Sequence, residues 1–135
     1  MSDDNKSERH RQGMAVRRSV LGDAWVDAAE AKKTPFDADF QEFITEGAWG
    51  SVWSRPNISK RERSMLTIAL LAALGQWDEV AMHTRATVNT GCSREDLREV
   101  MFHVAVYAGV PAANHAIKIV KQVFAEMDAA TPSGS

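Results

Sequence analysis

Helical periodicity is the feature of this chain that most limits its fold. Apolar residues recur every three or four positions from about residue 9 to residue 127, and no stretch alternates apolar and polar residues as a half-buried strand does. Glycine and proline interrupt the pattern at short intervals, which is typical of turns between helices. The sequence therefore predicts an all-α fold, a bundle of six helices joined by short turns in an orthogonal or antiparallel arrangement.

The same interruptions predict where each helix begins and ends. A break is expected near Gly22, and Pro111 is well placed in the first turn of the last helix. The expected helices cover residues 9–32, 36–49, 60–74, 77–90, 94–107 and the stretch from 111 onward. The glycine-, proline- and tryptophan-containing segment 47–57 is expected to be a loop. Residues 1–12 and 129–135 are expected to be flexible tails around a single domain of residues 13–128.

Length and composition exclude several classes of protein. A chain of 135 residues has the size of one domain, and 44% apolar residues with a net charge of −2 argue against disorder and against a dedicated nucleic-acid binder. The lone Cys92 excludes an internal disulfide framework and fits a reducing compartment. The sequence shows neither a signal-peptide core nor an apolar stretch of about 20 residues, so no membrane association and a cytoplasmic location are expected.

The third predicted helix, residues 60–74, is unusually apolar. From Met65 to Leu74 it is apolar on every face apart from Thr67, which predicts a central, buried helix. Together with a second non-solvated face on the next helix, it provides more apolar surface than one small subunit covers. A homo-oligomer is therefore expected.

A carboxylate and an imidazole on the fourth predicted helix are the strongest candidates for chemistry. Glu79 and His83 are four residues apart, so their side chains can touch. They are placed opposite the stripe expected to face the core, which includes Val80 and Val88. A neighbouring carboxylate orients an imidazole and raises its pKa, as a general acid or base requires. The alternative is an ordinary surface Glu–His pair.

Two further groups are candidates for binding a small molecule. His103 is the polar residue in the otherwise apolar stretch 100–106, so it needs a partner in the core or belongs to a site. Basic residues cluster around the start of the third helix, where free N–H groups attract anions, and two tryptophans precede them. This cluster either binds an anionic molecule or is a solvated basic cap; it contains Arg55, Lys60, Arg61 and Arg63, with Trp49 and Trp53 upstream.

The sequence contains no recognisable metal or nucleotide motif. Four scattered histidines and one cysteine show no zinc-ligand spacing, and phosphate-binding and dinucleotide fingerprints are absent. Neither a metal nor another cofactor is therefore expected. Cys92 has no candidate base beside it in the sequence and is expected to be chemically inert.

Several motifs in order resemble one known family. They are the run AWGSVWSRP at 48–56, Arg63-Ser64 before the apolar helix, Glu79-x-x-x-His83-x-Arg85, and YAGVPAAN at 107–114. Together they resemble the carboxymuconolactone decarboxylase family over about residues 13–127. The resemblance implies an all-helical subunit in a ring-like homo-oligomer, a trimer or a hexamer. It also implies cofactor-free decarboxylation of a dicarboxylate lactone, carboxymuconolactone, in the protocatechuate branch of the β-ketoadipate pathway.

The residues already singled out suit this chemistry. His83 and Glu79 are the expected catalytic pair. The residues expected to bind the substrate are Arg63, Arg61, Arg55, Trp49, Trp53, His103 and Tyr107. A sister branch, the alkyl hydroperoxidase D type, uses Cys-x-x-Cys-x-x-x-His, but here Gln76 and Glu79 stand at the two thiol positions. Disulfide-based peroxidase chemistry is therefore not expected. An enzyme of the same fold with another small lactone or acid as substrate, or a non-catalytic oligomeric binding protein, remain the alternatives.

Overall fold

The computed structural model describes residues 6–130, and all of the regular structure in that range is helical. This confirms the all-α prediction. The described residues form seven α-helices and one π-helical segment rather than six helices. Their bounds are α1 Glu8–Leu21, α2 Asp23–Ala31, α3 Ala38–Ile44, the π segment Thr45–Trp53, α4 Lys60–Leu74, α5 Trp77–Thr90, α6 Arg94–Ala108 and α7 Val110–Ala130.

Helix ends follow the sequence signals closely. Gly22, with φ of 92°, separates α1 from α2 at the predicted break. Ser93 caps α6 by accepting a hydrogen bond from the backbone N–H of Asp96, whose carboxylate in turn accepts one from the N–H of Ser93. The reciprocal bonds satisfy two backbone donors that the first turn of a helix leaves unpaired. Helices α4 and α5 begin and end at the predicted residues.

The segment expected to be a loop is instead mostly π-helical. Residues 45–53 continue directly from α3, and the N–H of Ser54 bonds to the carbonyl of Trp49, five residues earlier. The Ser51 hydroxyl donates to the carbonyl of Glu46 at 3.0 Å. The two glycines in this segment therefore lie within a wide helical turn, and the predicted helix 36–49 is α3 followed by the start of the π segment.

Part of each predicted tail is helical. Helix α1 begins at Glu8, so residues 8–12 are helical, and α7 continues to Ala130. Ser7 supports the early start because its hydroxyl caps α1 by accepting from the N–H of His10. Residues 1–5 and 131–135 of the expected tails lie outside the described residues.

The chain divides into two compact units, with the boundary in the sequence between Lys60 and Arg61. That residues 13–128 form a single domain stays a prediction. In the first unit, α1 approaches the π segment with backbone against backbone. A Cβ added at Gly13 would lie 2.8 Å from the backbone nitrogen of Gly50, and one added at Gly50 would lie 2.6 Å from the carbonyl oxygen of Arg9. Both positions therefore require glycine for this contact. The buried apolar side chains of this unit are Val20, Val26, Trp49 and Trp53.

The second unit contains α4 to α7 around one apolar core. Ile68 and Ala72 of α4, Val80 of α5 and Leu97 of α6 are at most 1% exposed. Helix α7 adds Ala113, Ala116 and Val120 to the same cluster. This core positions α5, which carries the candidate catalytic pair.

The prediction that α4 is buried on every face is wrong for this chain. Ser64, Ile68 and Ala72 form its buried stripe, whereas Leu66, Leu70 and Leu74 are 55%, 63% and 70% exposed. The neighbouring helices of the same chain cover one face of α4 and leave the leucine face open. No helix within residues 6–130 is long and apolar enough to cross a membrane.

Candidate active site

Helix α5 places His83 in its buried face. The buried positions recur three and four residues apart along the helix, and they are Val80, His83, Thr84, Ala86, Thr87 and Thr90. The hydroxyls of Thr84 and Thr87 donate to backbone carbonyls of the same helix, each at 2.7 Å. The threonines thereby satisfy their own polar groups, so the imidazole is the ionisable side chain on this face.

This arrangement corrects the predicted orientation of α5. Val88 was expected on the core side, but it is 69% exposed, whereas His83 is only 6% exposed. The buried stripe follows 80, 83–84, 87 and 90, which is a helical repeat displaced by about one residue from the predicted one. Val80 and Thr84 are buried as predicted, and His83, Ala86, Thr87 and Thr90 are buried with them.

Burial lowers the pKa of His83 to about 4. Removing an imidazole from water disfavours its charged form, and this effect exceeds any stabilisation of the cation by neighbouring groups. The expectation that a neighbouring carboxylate raises this pKa is therefore wrong for the chain without substrate. Near neutral pH, His83 is a neutral imidazole.

Glu79 lies one helical turn before His83 and is exposed to solvent. The two residues differ in environment, since one carboxylate faces water and one imidazole lies inside the protein. This end of α5 therefore carries an exposed carboxyl group and, one turn later, a buried neutral imidazole. Their joint catalytic role stays a prediction.

The arginines at the start of α4 have different surroundings. Arg61 donates two hydrogen bonds to the carboxylate of Asp96, from Nε at 2.8 Å and from Nη2 at 2.7 Å. The hydrogen bonds from Arg61 hold the pKa of Asp96 well below its usual value. Arg61 thus joins α4 to the capped start of α6. Arg63, two residues further along, is half-buried in the same unit.

His103 is not a core histidine. Both His103 and Tyr107 lie on the exposed face of α6, one turn apart, with ring centroids 5.3 Å apart and planes inclined by 31°. The apolar residues beside them, Phe102 and Val106, are exposed as well. The apolar stretch that suggested burial of His103 therefore reflects a face that this chain leaves uncovered.

The remaining predicted residues belong to the first unit. Trp49 and Trp53 are buried in the π segment, with ring centroids 5.2 Å apart and planes inclined by 37°. Arg55 follows the segment and is exposed. Single π turns inside helical structure often occur at functional sites. That these three residues and the residues of the second unit line one site stays a prediction.

Three features were not identified from the sequence. A buried hydrogen bond of 2.8 Å joins the hydroxyls of Ser64 and Thr90, linking α4 to α5 beside Arg63; the threonine repeat at 84, 87 and 90 was the available signal. An apolar cavity of about 420 Å³ lies between α6 and α7, with Arg94, Arg98 and Lys121 among its lining residues. The third feature is a possible metal site in the first unit.

Within the described range 6–130, one group of three side chains offers metal ligands close together: His10, Glu42 and Glu46. It lies in the first unit and contains neither His83 nor Glu79. Cys92 is buried, and burial raises the pKa of its thiol to about 11. The thiol is therefore protonated near neutral pH and is a poor nucleophile and a poor metal ligand, as expected.

Comparisons with known proteins agree with these motifs. The chain matches the sequence model of the carboxymuconolactone decarboxylase family over residues 38–122. It is 43% identical to the 4-carboxymuconolactone decarboxylase of Acinetobacter baylyi, over 91% of this chain and 92% of that protein. It is 38% identical to the nitrosuccinic acid decarboxylase npaB of Metarhizium robertsii, over 93% of this chain and 91% of that protein. A 4-carboxymuconolactone decarboxylase sequence of Pseudomonas putida is 48% identical over 34% of this chain and 96% of its own length.

Proposed function

Because the chain belongs to the carboxymuconolactone decarboxylase family and is a carboxy-lyase, we propose that it decarboxylates 4-carboxymuconolactone to β-ketoadipate enol-lactone and CO₂. The observation that carries the proposal is the similarity to the Acinetobacter baylyi decarboxylase along 92% of that protein. Two features of this chain support it: His83 is buried, and a carboxylate and an amide stand where a thiol peroxidase needs its two cysteines.

The proposed reaction needs no cofactor to accept electrons. The bond between the ring carbon and its carboxylate breaks, CO₂ leaves, and the electron pair moves through the ring double bond onto the lactone carbonyl oxygen. The resulting dienolate then takes a proton at the carbon next to that carbonyl. The protein must orient the two carboxylates, stabilise the enolate oxygen and deliver this proton.

His83 is the proposed acid–base group. In the chain without substrate its pKa is about 4, so the ring enters the reaction in its neutral form. A bound dicarboxylate brings negative charge close to the ring, which favours the imidazolium and raises the pKa in the complex. The protonated ring then donates to the dienolate and is reprotonated from solvent through the exposed Glu79. If Glu79 is itself the donor, His83 instead orients it.

Arg63 is the proposed main ligand for a substrate carboxylate. It lies half-buried at the start of α4. Partial burial strengthens the interaction between a guanidinium and a carboxylate. Arg61 and Arg55 contribute positive charge around the site in this proposal. The proposed aromatic and imidazole walls are Trp49, Trp53, His103 and Tyr107.

We also propose that the protein forms a homo-oligomer, either a trimer or a hexamer. Its proposed location is the cytoplasm. Exposed apolar side chains in each unit support the assembly. The second unit exposes the leucine face of α4, and the first unit exposes Phe36, Phe40 and Phe43, at 97%, 59% and 66%. Apolar areas of this extent on a small protein usually mark an interface. The subunit count follows only from the family resemblance.

A second candidate substrate is nitrosuccinic acid. The Metarhizium robertsii relative that carries this name is 38% identical across nearly the whole chain. The two reactions share a chemical principle, because a nitro group, like an unsaturated lactone, accepts the electron pair that the departing CO₂ leaves behind. The same acid–base pair would serve either carbanion.

The direct test is turnover of both acids by the purified chain, followed by CO₂ release and product identification. We expect 4-carboxymuconolactone to be the better substrate by kcat/KM. His83→Gln is expected to lower kcat about 10²–10⁴-fold, the usual range for general acid–base catalysis. His115→Gln is the matched control, since His115 is exposed and stacks on Trp77 at 4.0 Å. Turnover of neither acid, or full activity of folded His83→Gln, would contradict the proposal.

A further inference from the structure

We infer that the first unit holds a divalent transition-metal ion, with zinc as the fitting type, between His10, Glu42 and Glu46. The nearest ligand atoms of these three side chains all lie within 4.8 Å of one another. The site is separate from the proposed decarboxylation chemistry. Sequence spacing did not indicate it, because the histidine is more than thirty positions from the two carboxylates.

Local structure explains why the three side chains converge. His10 lies in the first turn of α1, which Ser7 caps. Glu42 of α3 and Glu46 of the π segment are four residues apart in continuous helical structure, so they project from the same side. The close contact between α1 and the π segment brings this side to the first turn of α1.

Of the three side chains, His10 has a buried polar atom that no hydrogen bond satisfies. Its Nδ1 atom is shielded from solvent and has no hydrogen-bond partner among residues 6–130. A buried ring nitrogen left unbonded costs free energy, and native proteins rarely leave one so. The carboxylates of Glu42 and Glu46 lie near the ring, but neither makes a hydrogen bond to Nδ1. A metal ion between them would satisfy all three groups.

The ligand set and its dimensions suit zinc. Imidazole nitrogen with carboxylate oxygen is typical of zinc and its first-row neighbours, whereas calcium and magnesium prefer six or more oxygen ligands. In tetrahedral geometry, zinc bonds of about 2.0–2.2 Å place two ligand atoms about 3.3–3.6 Å apart. Small side-chain movements therefore close the present spacing of up to 4.8 Å. Three protein ligands leave one position for water.

The surroundings show what the ion would replace. His10 and Lys6 line a cleft of about 600 Å³. The ammonium of Lys6 is 3.2 Å from Glu42, and the Ser7 hydroxyl donates to Glu46 at 3.0 Å. Lys6 thus supplies the positive charge for the carboxylates when no ion is bound. Zinc would displace this ammonium and join α1 to α3 and the π segment.

The test is zinc binding by the full-length chain after removal of metals with a chelator. Titration calorimetry with Zn²⁺ should give one ion per chain, and the melting temperature should rise by about 5 °C or more at saturating zinc. His10→Gln and Glu46→Gln should each weaken binding at least about tenfold. Lys6→Gln should tighten it because the competing ammonium is gone. His115→Gln and Glu99→Gln, at exposed positions of the second unit, are the matched controls and should bind zinc as the parent does.

Two results would overturn the inference: no zinc binding by the parent chain, or unchanged binding by folded His10→Gln. If His10→Gln does not fold, Glu46→Gln decides, since an amide still accepts the hydrogen bond from Ser7 but is a poor zinc ligand. Weaker binding by Lys6→Gln would contradict displacement of the ammonium. The readouts are binding and melting temperature, so their outcome is independent of whether the chain decarboxylates either acid.

Discussion

Replacing His83 with glutamine should remove a specific part of the acid sensitivity of this protein. The folded chain keeps His83 neutral, with a pKa of about 4, whereas the usual value in an unfolded chain is 6.5. Above about pH 7.5 the ring is neutral in both states and contributes almost nothing to the pH dependence of stability. As the pH falls from 6.5 toward 4, the unfolded chain binds a proton that the folded chain does not, so the free energy of unfolding decreases.

The size of this loss follows from the two pKa values. Each pH unit of difference corresponds to about 1.36 kcal/mol, so the gap between 6.5 and about 4 amounts to about 3 kcal/mol. About 2 kcal/mol of it should be lost between about pH 7 and about pH 4.5. Hydrogen bonds from Arg61 and Arg94 lower the carboxyl pKa values of Asp96 and Asp128, and these groups destabilise the fold only at lower pH.

The assay is urea unfolding at several pH values in this interval, at one fixed subunit concentration because association changes apparent stability. The parent and His115→Gln should lose stability in parallel as the pH falls, while His83→Gln should lose about 2 kcal/mol less. The difference between curves isolates the ring from every other titrating group. Equal pH dependence in the parent and in His83→Gln would refute a buried, neutral His83.

Three further results are expected. Arg63→Gln should raise KM more than it lowers kcat, because a group that anchors a substrate carboxylate acts on binding; an unchanged KM would remove Arg63 from the site. Turnover should survive exhaustive treatment with EDTA, since the electron pair moves into the substrate's own carbonyl; activity restored only by one specific divalent ion would contradict this. Sedimentation at micromolar subunit concentration should show an oligomer, and Leu70→Lys on the open face of α4 should weaken it; a folded parent monomer would argue against an obligate assembly.

The sequence predicted most helix boundaries because glycine and capping residues mark the helix ends clearly. Gly22 breaks the first helical region, α4 and α5 have the predicted bounds, and the α6 cap lies at Ser93. The π segment was missed because glycine and proline near two tryptophans also describe a loop. Tertiary burial supplies much of the stability of such a π-helical turn. The local sequence alone therefore does not distinguish it from a loop.

The candidate site was predicted less completely, for a different physical reason. Helical spacing placed Glu79 and His83 one turn apart, but it could not decide which side of α5 faces the core. Val80 and Thr84 were assigned to the core side and are buried, but His83 and Thr87 share that side, whereas Val88 does not. The Thr87 hydroxyl bonds to the helix backbone, which allows this polar residue to be buried. His103 shows the opposite case, because an apolar stretch indicates burial only when something in the same chain covers it. The ligand group around His10 depends on tertiary contact and has no local signal.

The contact of α1 with the π segment limits how sequences with this architecture can diverge. A side chain at position 13 would collide with backbone atoms of Thr45 and Gly50. Every residue has these backbone atoms, so no substitution at position 45 or 50 can remove the collision. Gly13 and Gly50 therefore function as a matched pair that sets one interhelical distance. A chain with a larger residue at either position must hold its first helix farther away, and this shift would also move the segment that carries Trp49 and Trp53. Those two positions offer a simple criterion for deciding which distant sequences can share this N-terminal geometry.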